Sequence, residues 1–152
     1  MRGPPRAGFA VASAGLCAAL WPATAGAAPA CAPAVSPADE VVLTELINAQ
    51  RHAEGVPRVV TQPALVAAGR RKSMAMARGG AFNHSGSLAF AQGGAGAQNI
   101  AEAPTVQVAF QSMLASPAHR RAMLARAFRR TGVGAARDCA GQIFFTVNLT
   151  AG

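Results

Sequence analysis

Few side chains in this sequence are equipped for acid–base, metal or nucleophilic chemistry. Its 152 residues include three histidines, six acidic residues and no tyrosine. Judged by their immediate neighbours alone, His52 is an exposed helical residue, His84 a surface residue of a polar loop, and His119 a solvated residue near a helix start. Ser85, His84 and Asp138 do not make a plausible catalytic triad, because adjacent Ser and His side chains do not reach triad geometry and no nucleophile-turn motif accompanies them.

The composition is that of one small globular domain. Hydrophobic residues make up 51% of the chain, but 38 residues are alanine, which favours helix more than it contributes to burial. Charged residues amount to only 13%. These values exclude an acidic disordered tail, a coiled coil and a collagen-like repeat. A multi-span membrane protein is also excluded, because the chain has a single long apolar run.

The N-terminal 27 residues have the order of features of a secretory signal peptide. Arg2 and Arg6 precede an apolar stretch at 7–21, and small residues flank a cleavage position after Ala27. The apolar stretch is shorter than the roughly 20 residues that span a bilayer. The sequence therefore predicts a signal peptide over 1–27 and a secreted protein, periplasmic or extracellular, with no transmembrane span after cleavage. An uncleaved N-terminal anchor is the alternative.

Two cysteines remain once the predicted signal is removed. Cys17 lies within the signal, which leaves Cys31 and Cys139. An even number of cysteines in an oxidising compartment favours one disulfide, here between the N-terminal arm and a turn near the C-terminus. Two unpaired thiols are the alternative, because pairing cannot be read from sequence.

The chain is basic, with a formal net charge of +8, or +6 without Arg2 and Arg6. A positive balance favours contact with anionic polymers or envelope lipids, and a basic surface-adhesion protein is therefore one candidate function. No specific nucleic-acid binding is expected, because neither interleaved aromatic residues nor a recognised motif accompanies the arginines.

The local patterns predict helices followed by a terminal β-hairpin, which is typical of an α+β domain. Ser36 is a predicted N-cap followed by Pro37 at the first helical position, and the second helix is predicted to pack through Leu65, Ala68, Lys72 and Met76. The predicted elements are a Pro/Ala linker at 28–38, helices at about 37–54, 61–78 and 104–114, a further helical turn or two after Ser116 and Pro117, and a strand, turn and strand over 131–149.

Five short blocks, in order, resemble the CAP superfamily of cysteine-rich secretory proteins, antigen 5 and pathogenesis-related proteins, in its bacterial form. The resemblance covers about 39–149, so that 39–152 is predicted to be a CAP domain. The blocks are LINAQR at 46–51, the second helix at 63–76, FNHS at 82–85, QNIA at 98–101, and SPAHRRAML at 116–124 followed by GVG at 132–134.

The resemblance implies a three-layer α-β-α sandwich with a cavity that holds two histidines and, in most members, two acidic residues. By position, His84 and His119 are the cavity histidines, and Gln98 stands where the first glutamate is usual. Such a histidine pair implies zinc or another divalent cation as the cofactor, if any. Two ligands are fewer than the three protein ligands of most catalytic zinc sites.

The departures from the family pattern argue against catalysis. The amide of Gln98 cannot act as a general base, and no acid follows His119. Glu102 is a candidate substitute, because on a strand it shares a face with Gln98. The expected function is non-catalytic binding of a lipid, peptide or envelope ligand by a monomer, through a degenerate cavity. The alternatives are a metal-assisted hydrolase that uses His84 and His119, and the basic adhesion protein.

Overall fold

The computed structural model describes residues 30–84 and 95–151, and the predicted signal peptide at 1–27 lies outside them. Residues from Cys31 onward belong to one unit. None of the helices in the described part of the chain is long and apolar enough to cross a membrane. The elements in chain order are β1 (Ala34–Val35), α1 (Pro37–Ala53), β2 (Val60–Thr61), α2 (Pro63–Ala77), β3 (Gly96–Ala103), α3 (Val106–Ala115), α4 (Pro117–Leu124), β4 (Phe128–Arg137) and β5 (Ile143–Ala151).

The strands form one sheet in the order β1-β4-β5-β3, with β2 beside β4 as well. The predicted C-terminal hairpin is confirmed: β4 and β5 pair antiparallel along their length. β3 pairs antiparallel with β5, whereas β2 contributes a two-residue parallel pairing with β4. β1 and β2 both lie on the outer edge of β4, because its other edge is occupied by β5.

Helices cover both faces of the sheet, so the predicted three-layer α-β-α architecture is confirmed. On one face α1, α3 and α4 enclose the larger core, and on the other α2 packs alone. Successive side chains of β5 point to opposite faces of the sheet and so enter different cores. Phe145 lies in the larger core, and Phe144 packs with Met76 of α2. Both phenylalanines are buried.

The contact between α2 and the sheet is very close, because both surfaces are made of small residues. A Cβ added to Gly134 of β4 would overlap the carbonyl carbon of Gly69. Ser73 Oγ lies 2.9 Å from the carbonyl oxygen of Gly134 and donates to it. The buried face of α2 therefore runs through Gly69 and Ser73, and the predicted packing role of Ala68 and Lys72 is wrong. Helical periodicity found the helix but not its rotation about its own axis.

A disulfide and a buried arginine connect parts of this domain that are far apart in the sequence. Cys31 and Cys139 form a disulfide, as expected, and close a loop between residues 108 positions apart. Arg51 at the end of α1 is fully buried and donates to the carbonyl oxygens of four residues. Those residues are Pro57, Met123, Ala125 and Phe128.

Candidate functional site

The fold brings His84 and His119 together from distant parts of the sequence. Their ring centroids are 6.4 Å apart and the rings are inclined at 69°, in an edge-to-face arrangement. His84 follows the end of α2 and is exposed, whereas His119 lies in the first turn of α4 and is half-buried. The main chain of His119 is bonded to β3, the strand at the far edge of the sheet from β1 and β2.

The path of the chain after α2 positions His84. Gly79, two residues after the end of α2, has a φ of 85°, which favours glycine, and the N–H of Gly80 donates to the carbonyl oxygen of Ala75. Lys72 Nζ then donates to Asn83 Oδ1 over 2.8 Å. The residue before His84 is therefore bonded back to the helix.

The start of α4 positions His119. Ser116 is the N-cap and its Oγ accepts from the His119 N–H, while Pro117 occupies the first turn. From β3, the buried Asn99 donates through Nδ2 to the carbonyl oxygen of His119 over 3.0 Å. The predicted N-cap at Ser116 is confirmed, and the helix start is fixed to the edge strand.

Gln98 is buried on the other side of β3, in a chain of amide hydrogen bonds. Its Nε2 donates to Asn148 Oδ1 over 3.0 Å, and Asn148 Nδ2 donates to the carbonyl oxygen of Leu65 in α2. Asn148 is directly opposite Gln98 in the antiparallel register. These two bonds join β3, β5 and α2, and each is between neutral groups. Gln98 is also the chain neighbour of Asn99, which holds His119.

Glu102 lies on the same face of β3 as Gln98, as the alternation predicts, and it is exposed. Four residues of strand separate the two Cα atoms by roughly 13 Å. Glu102 is therefore displaced along the strand from the amide network, and its participation in the cavity stays a prediction.

Burial and the second imidazole disfavour the charged form of His119. Partial burial is the larger effect and the nearby His84 the smaller, and both lower the pKa of His119 below its usual 6.5. His119 is therefore neutral at neutral pH. Neutral imidazole can accept a hydrogen bond, donate one or ligate a metal.

The donor set at the pair is small for a metal centre. No group of three His, Cys, Asp or Glu side chains that could hold a metal exists among residues 30–84 and 95–151. The intervening residues 85–94 contain none of these four types. An ion here would rest on two protein ligands, whereas catalytic zinc sites use three. The residues present do not fit a catalytic zinc site.

The family model described as CAP, the cysteine-rich secretory protein family, matches residues 44–149. The chain belongs to the CAP family. The match covers all five blocks, and it includes His84, Gln98 and His119. A search of curated proteins returns no match.

Solved structures share this CAP fold at low sequence identity. An outer surface protein of Borrelia burgdorferi superposes with a TM-score of 0.72 at 13% identity, over 80% of this chain and 98% of its own. An extracellular SCP-domain protein of Bacillus anthracis superposes with a TM-score of 0.66 at 21% identity, over 76% of this chain and 41% of its own. Venom allergen-like protein 4 of Schistosoma mansoni superposes with a TM-score of 0.58 at 11% identity, over 75% of this chain and 88% of its own.

The sequence patterns missed two residues that build the site of this CAP domain. Asn148 carries the amide network beneath Gln98, and Asn99 anchors the start of α4, although only its place in a family block was noted. A buried amide in an apolar strand is a signal for such a role, because a buried polar group needs partners. The partners themselves depend on strand register, which sequence does not give.

Proposed function

We propose that this CAP protein is exported and binds a lipid non-catalytically at the surface around His84 and His119. The observation that carries the proposal is the juxtaposition of the two imidazoles at 6.4 Å by separate elements that are each pinned by specific hydrogen bonds. A pair held in this way, with ring nitrogens left for a ligand, suits recognition of a polar group.

The chemistry of the surface favours a neutral amphipathic ligand. The imidazole of His119 is uncharged at neutral pH, so the polar part of the surface recognises hydrogen-bonding groups rather than a strong charge. Phe82, two residues before His84, is 51% exposed and supplies an apolar surface for an acyl chain. A lipid with a hydrogen-bonding headgroup meets both requirements better than a short polar peptide or glycan.

Export is supported by two independent features. The disulfide between Cys31 and Cys139 belongs in an oxidising compartment, and the predicted signal peptide at 1–27 directs the chain there. The Borrelia and Bacillus proteins with the same fold are described as an outer surface protein and an extracellular protein.

The test is a binding measurement on exported, purified protein with phosphatidylcholine vesicles and with a total envelope-lipid extract, the bound lipid being identified by mass spectrometry. Replacing His84 and His119 together by alanine removes two hydrogen-bonding groups and is expected to weaken binding by roughly tenfold or more. His52→Ala is the matched control, since His52 is an exposed histidine on α1. Binding that is absent, or equal in all three proteins, contradicts the proposal.

A hydrolase is the second candidate, and the neutral state of His119 is the observation that favours it, because a neutral imidazole can act as a base. This hypothesis predicts hydrolysis of ester or peptide substrates that is lost in His119→Ala. Since the residues present do not fit a catalytic zinc site, the activity is expected in metal-free protein. Metal-free protein that leaves such substrates intact contradicts it.

A further inference from the structure

A concave site lies at the outer edge of β4, the side of the sheet away from β3, and neither His84 nor His119 lines it. It is a pocket of about 260 Å³ between α1 and α2, closed on one side by β2 and β4. Its rim is exposed at Val41, Glu45 and Thr61, whereas Val133 of β4, 1% exposed, lies at its base. The lining consists of Glu40, Val41, Thr44, Glu45, Thr61, Val66, Arg70 and Val133.

The pocket coincides with a break in the outer edge of β4. β1 pairs with β4 at Ala136 and Arg137, and β2 pairs with it at Arg130 and Thr131. The β4 segment between these pairings has no neighbouring strand on that edge among the residues that the structure describes. Both short strands turn into helices there, α1 after β1 and α2 after β2.

Val133 presents an unpaired main-chain unit at this break. The carbonyl oxygens of Thr131 and Ala135 accept from the N–H groups of Gln62 and Ser36, so odd-numbered residues of β4 direct their polar groups to the outer edge. The N–H of Ala135 is occupied by Glu40 Oε1 at 3.2 Å. Within the described residues, nothing takes the N–H or C=O of Val133. Buried main-chain groups without partners are rare, because each costs free energy.

The next main-chain acceptor on the β2 side is already in use. Continuing the parallel pairing past Thr61 would bring the carbonyl oxygen of Gln62 to the N–H of Val133, but that oxygen accepts from Leu65 and Val66 in the first turn of α2. The start of α2 therefore ends the ladder. Asn48 keeps β2 in this place by bonding both main-chain groups of Val59.

The charges of the pocket are already satisfied. The buried carboxylate of Glu40 accepts from Arg70 through Nε and a terminal nitrogen, at 2.8 and 2.6 Å. This hydrogen-bonded pairing raises the pKa of Arg70 further. On the rim, Glu45 is paired with Arg58. Besides the exposed hydroxyl of Thr61 on the rim, the pocket leaves open one main-chain donor and one main-chain acceptor at Val133, next to the apolar walls of Val41 and Val66.

We propose that this pocket, which we call the β4-edge pocket, binds a short extended peptide by adding it to β4 at Val133. An extended peptide has the complement of what is open: a C=O for the Val133 N–H, an N–H for its C=O, and an uncharged side chain for the valine walls. The volume is below the roughly 300–1,000 Å³ of drug-sized sites, which limits the bound segment to two or three residues. The site is separate from the histidine pair and does not depend on lipid binding.

The probe is the capped, uncharged tripeptide acetyl-Thr-Val-Thr-amide, titrated against full-length protein by NMR. Two results are expected: slower hydrogen exchange at the Val133 amide on binding, and roughly tenfold weaker binding of the same tripeptide N-methylated at its central residue, because one hydrogen bond is lost. Val133 that is protected before peptide is added, or equal binding of the two peptides, overturns the proposal.

A blocking variant provides the second arm. Val41→Trp places a large ring on the pocket rim at a position that is 64% exposed, so the fold is retained and tripeptide binding is expected to fall by roughly tenfold or more. Val108→Trp is the matched control, because Val108 is a 50% exposed helical valine outside the pocket. His84→Ala should bind the tripeptide as the unmodified protein does. Binding that survives in Val41→Trp, or is lost equally in Val108→Trp, places the peptide elsewhere and contradicts the proposal.

Discussion

Arg51 and the His84–His119 pair both come from short sequence blocks of the family, but the structure uses them in opposite ways. Arg51 is fully buried and its guanidinium donates to four carbonyl oxygens from three regions of the chain. The histidines are exposed or half-buried, and within the described residues their rings contact each other and make no hydrogen bond. The protein itself supplies the hydrogen-bond partners of Arg51, whereas the histidine rings are left accessible to a ligand.

This difference in burial and hydrogen bonding separates structural from functional residues among the five family blocks. Burial lowers the pKa of Arg51, and Arg129 lowers it further, so the buried charge is retained only because carbonyl dipoles, two of them at the end of α4, solvate it. Four of the five N–H donors of Arg51 are engaged and the side chain is fully buried, so it is not accessible to a ligand. The histidines are held only through the backbone around them, and their rings are available.

The largest expected effect is the loss of stability on replacing Arg51. Arg51→Met keeps an unbranched apolar stem but strands four carbonyl oxygens, and we expect the free energy of unfolding to fall by about 4 kcal/mol. Urea denaturation measures this fall in the free energy of unfolding. Arg51→Lys restores the positive charge, but an ammonium group cannot donate to the four carbonyl oxygens as the planar guanidinium does, so it should recover only part of the lost stability. If Arg51→Met lowers the free energy of unfolding by less than about 1 kcal/mol, the structural role assigned to Arg51 is wrong.

A second perturbation tests whether α2 must press against the sheet to place His84. Gly134→Ala puts a methyl group into the backbone of Gly69, and we expect a loss of about 3 kcal/mol with reduced lipid binding, because the segment after α2 moves with the helix. Gly141→Ala is the control: no atom lies within 4 Å of its added Cβ, and only its φ of 85° is strained, at about 1 kcal/mol. Unchanged lipid binding in Gly134→Ala would separate the α2 contact from the site.

The pH dependence of stability should report the histidine pair. The pKa of His119 in the folded protein lies below 6.5, so the unfolded chain binds more protons as the pH falls, and stability decreases from about pH 7 down through the folded pKa. In His119→Gln this part of the decrease should be absent, whereas His52→Gln should behave like the unmodified protein. Urea midpoints at about pH 7.5 and about pH 5 measure it. Equal acid losses in all three proteins would contradict this account.

The smallest expected effect is that of His84→Ala on stability, and it completes the comparison with Arg51. His84 is exposed, so its removal should change the free energy of unfolding by less than about 0.5 kcal/mol, measured by urea denaturation. A loss comparable with that of Arg51→Met would assign His84 a structural role instead.

The sequence predicted much of the fold because its signals are local. Ser36 and Ser116 with the prolines that follow them marked two helix starts, the alternating apolar residues marked the terminal hairpin, and the even cysteine count indicated the disulfide. The order of five blocks indicated the family. The buried face of α2 was misplaced, because glycine and serine carry no hydrophobic signal and pack against the sheet only where facing residues are equally small.

By itself, the sequence determined the helices, the hairpin, the family and the identities of two candidate histidines, since these depend on residue type and spacing along one segment. Only the tertiary structure decided that the two imidazoles meet, that Gln98 is tied to Asn148, and that β4 has an unpaired unit at Val133 between two short strands. The physical reason is that register and layer packing are set by contacts between distant segments, and no single segment encodes both partners.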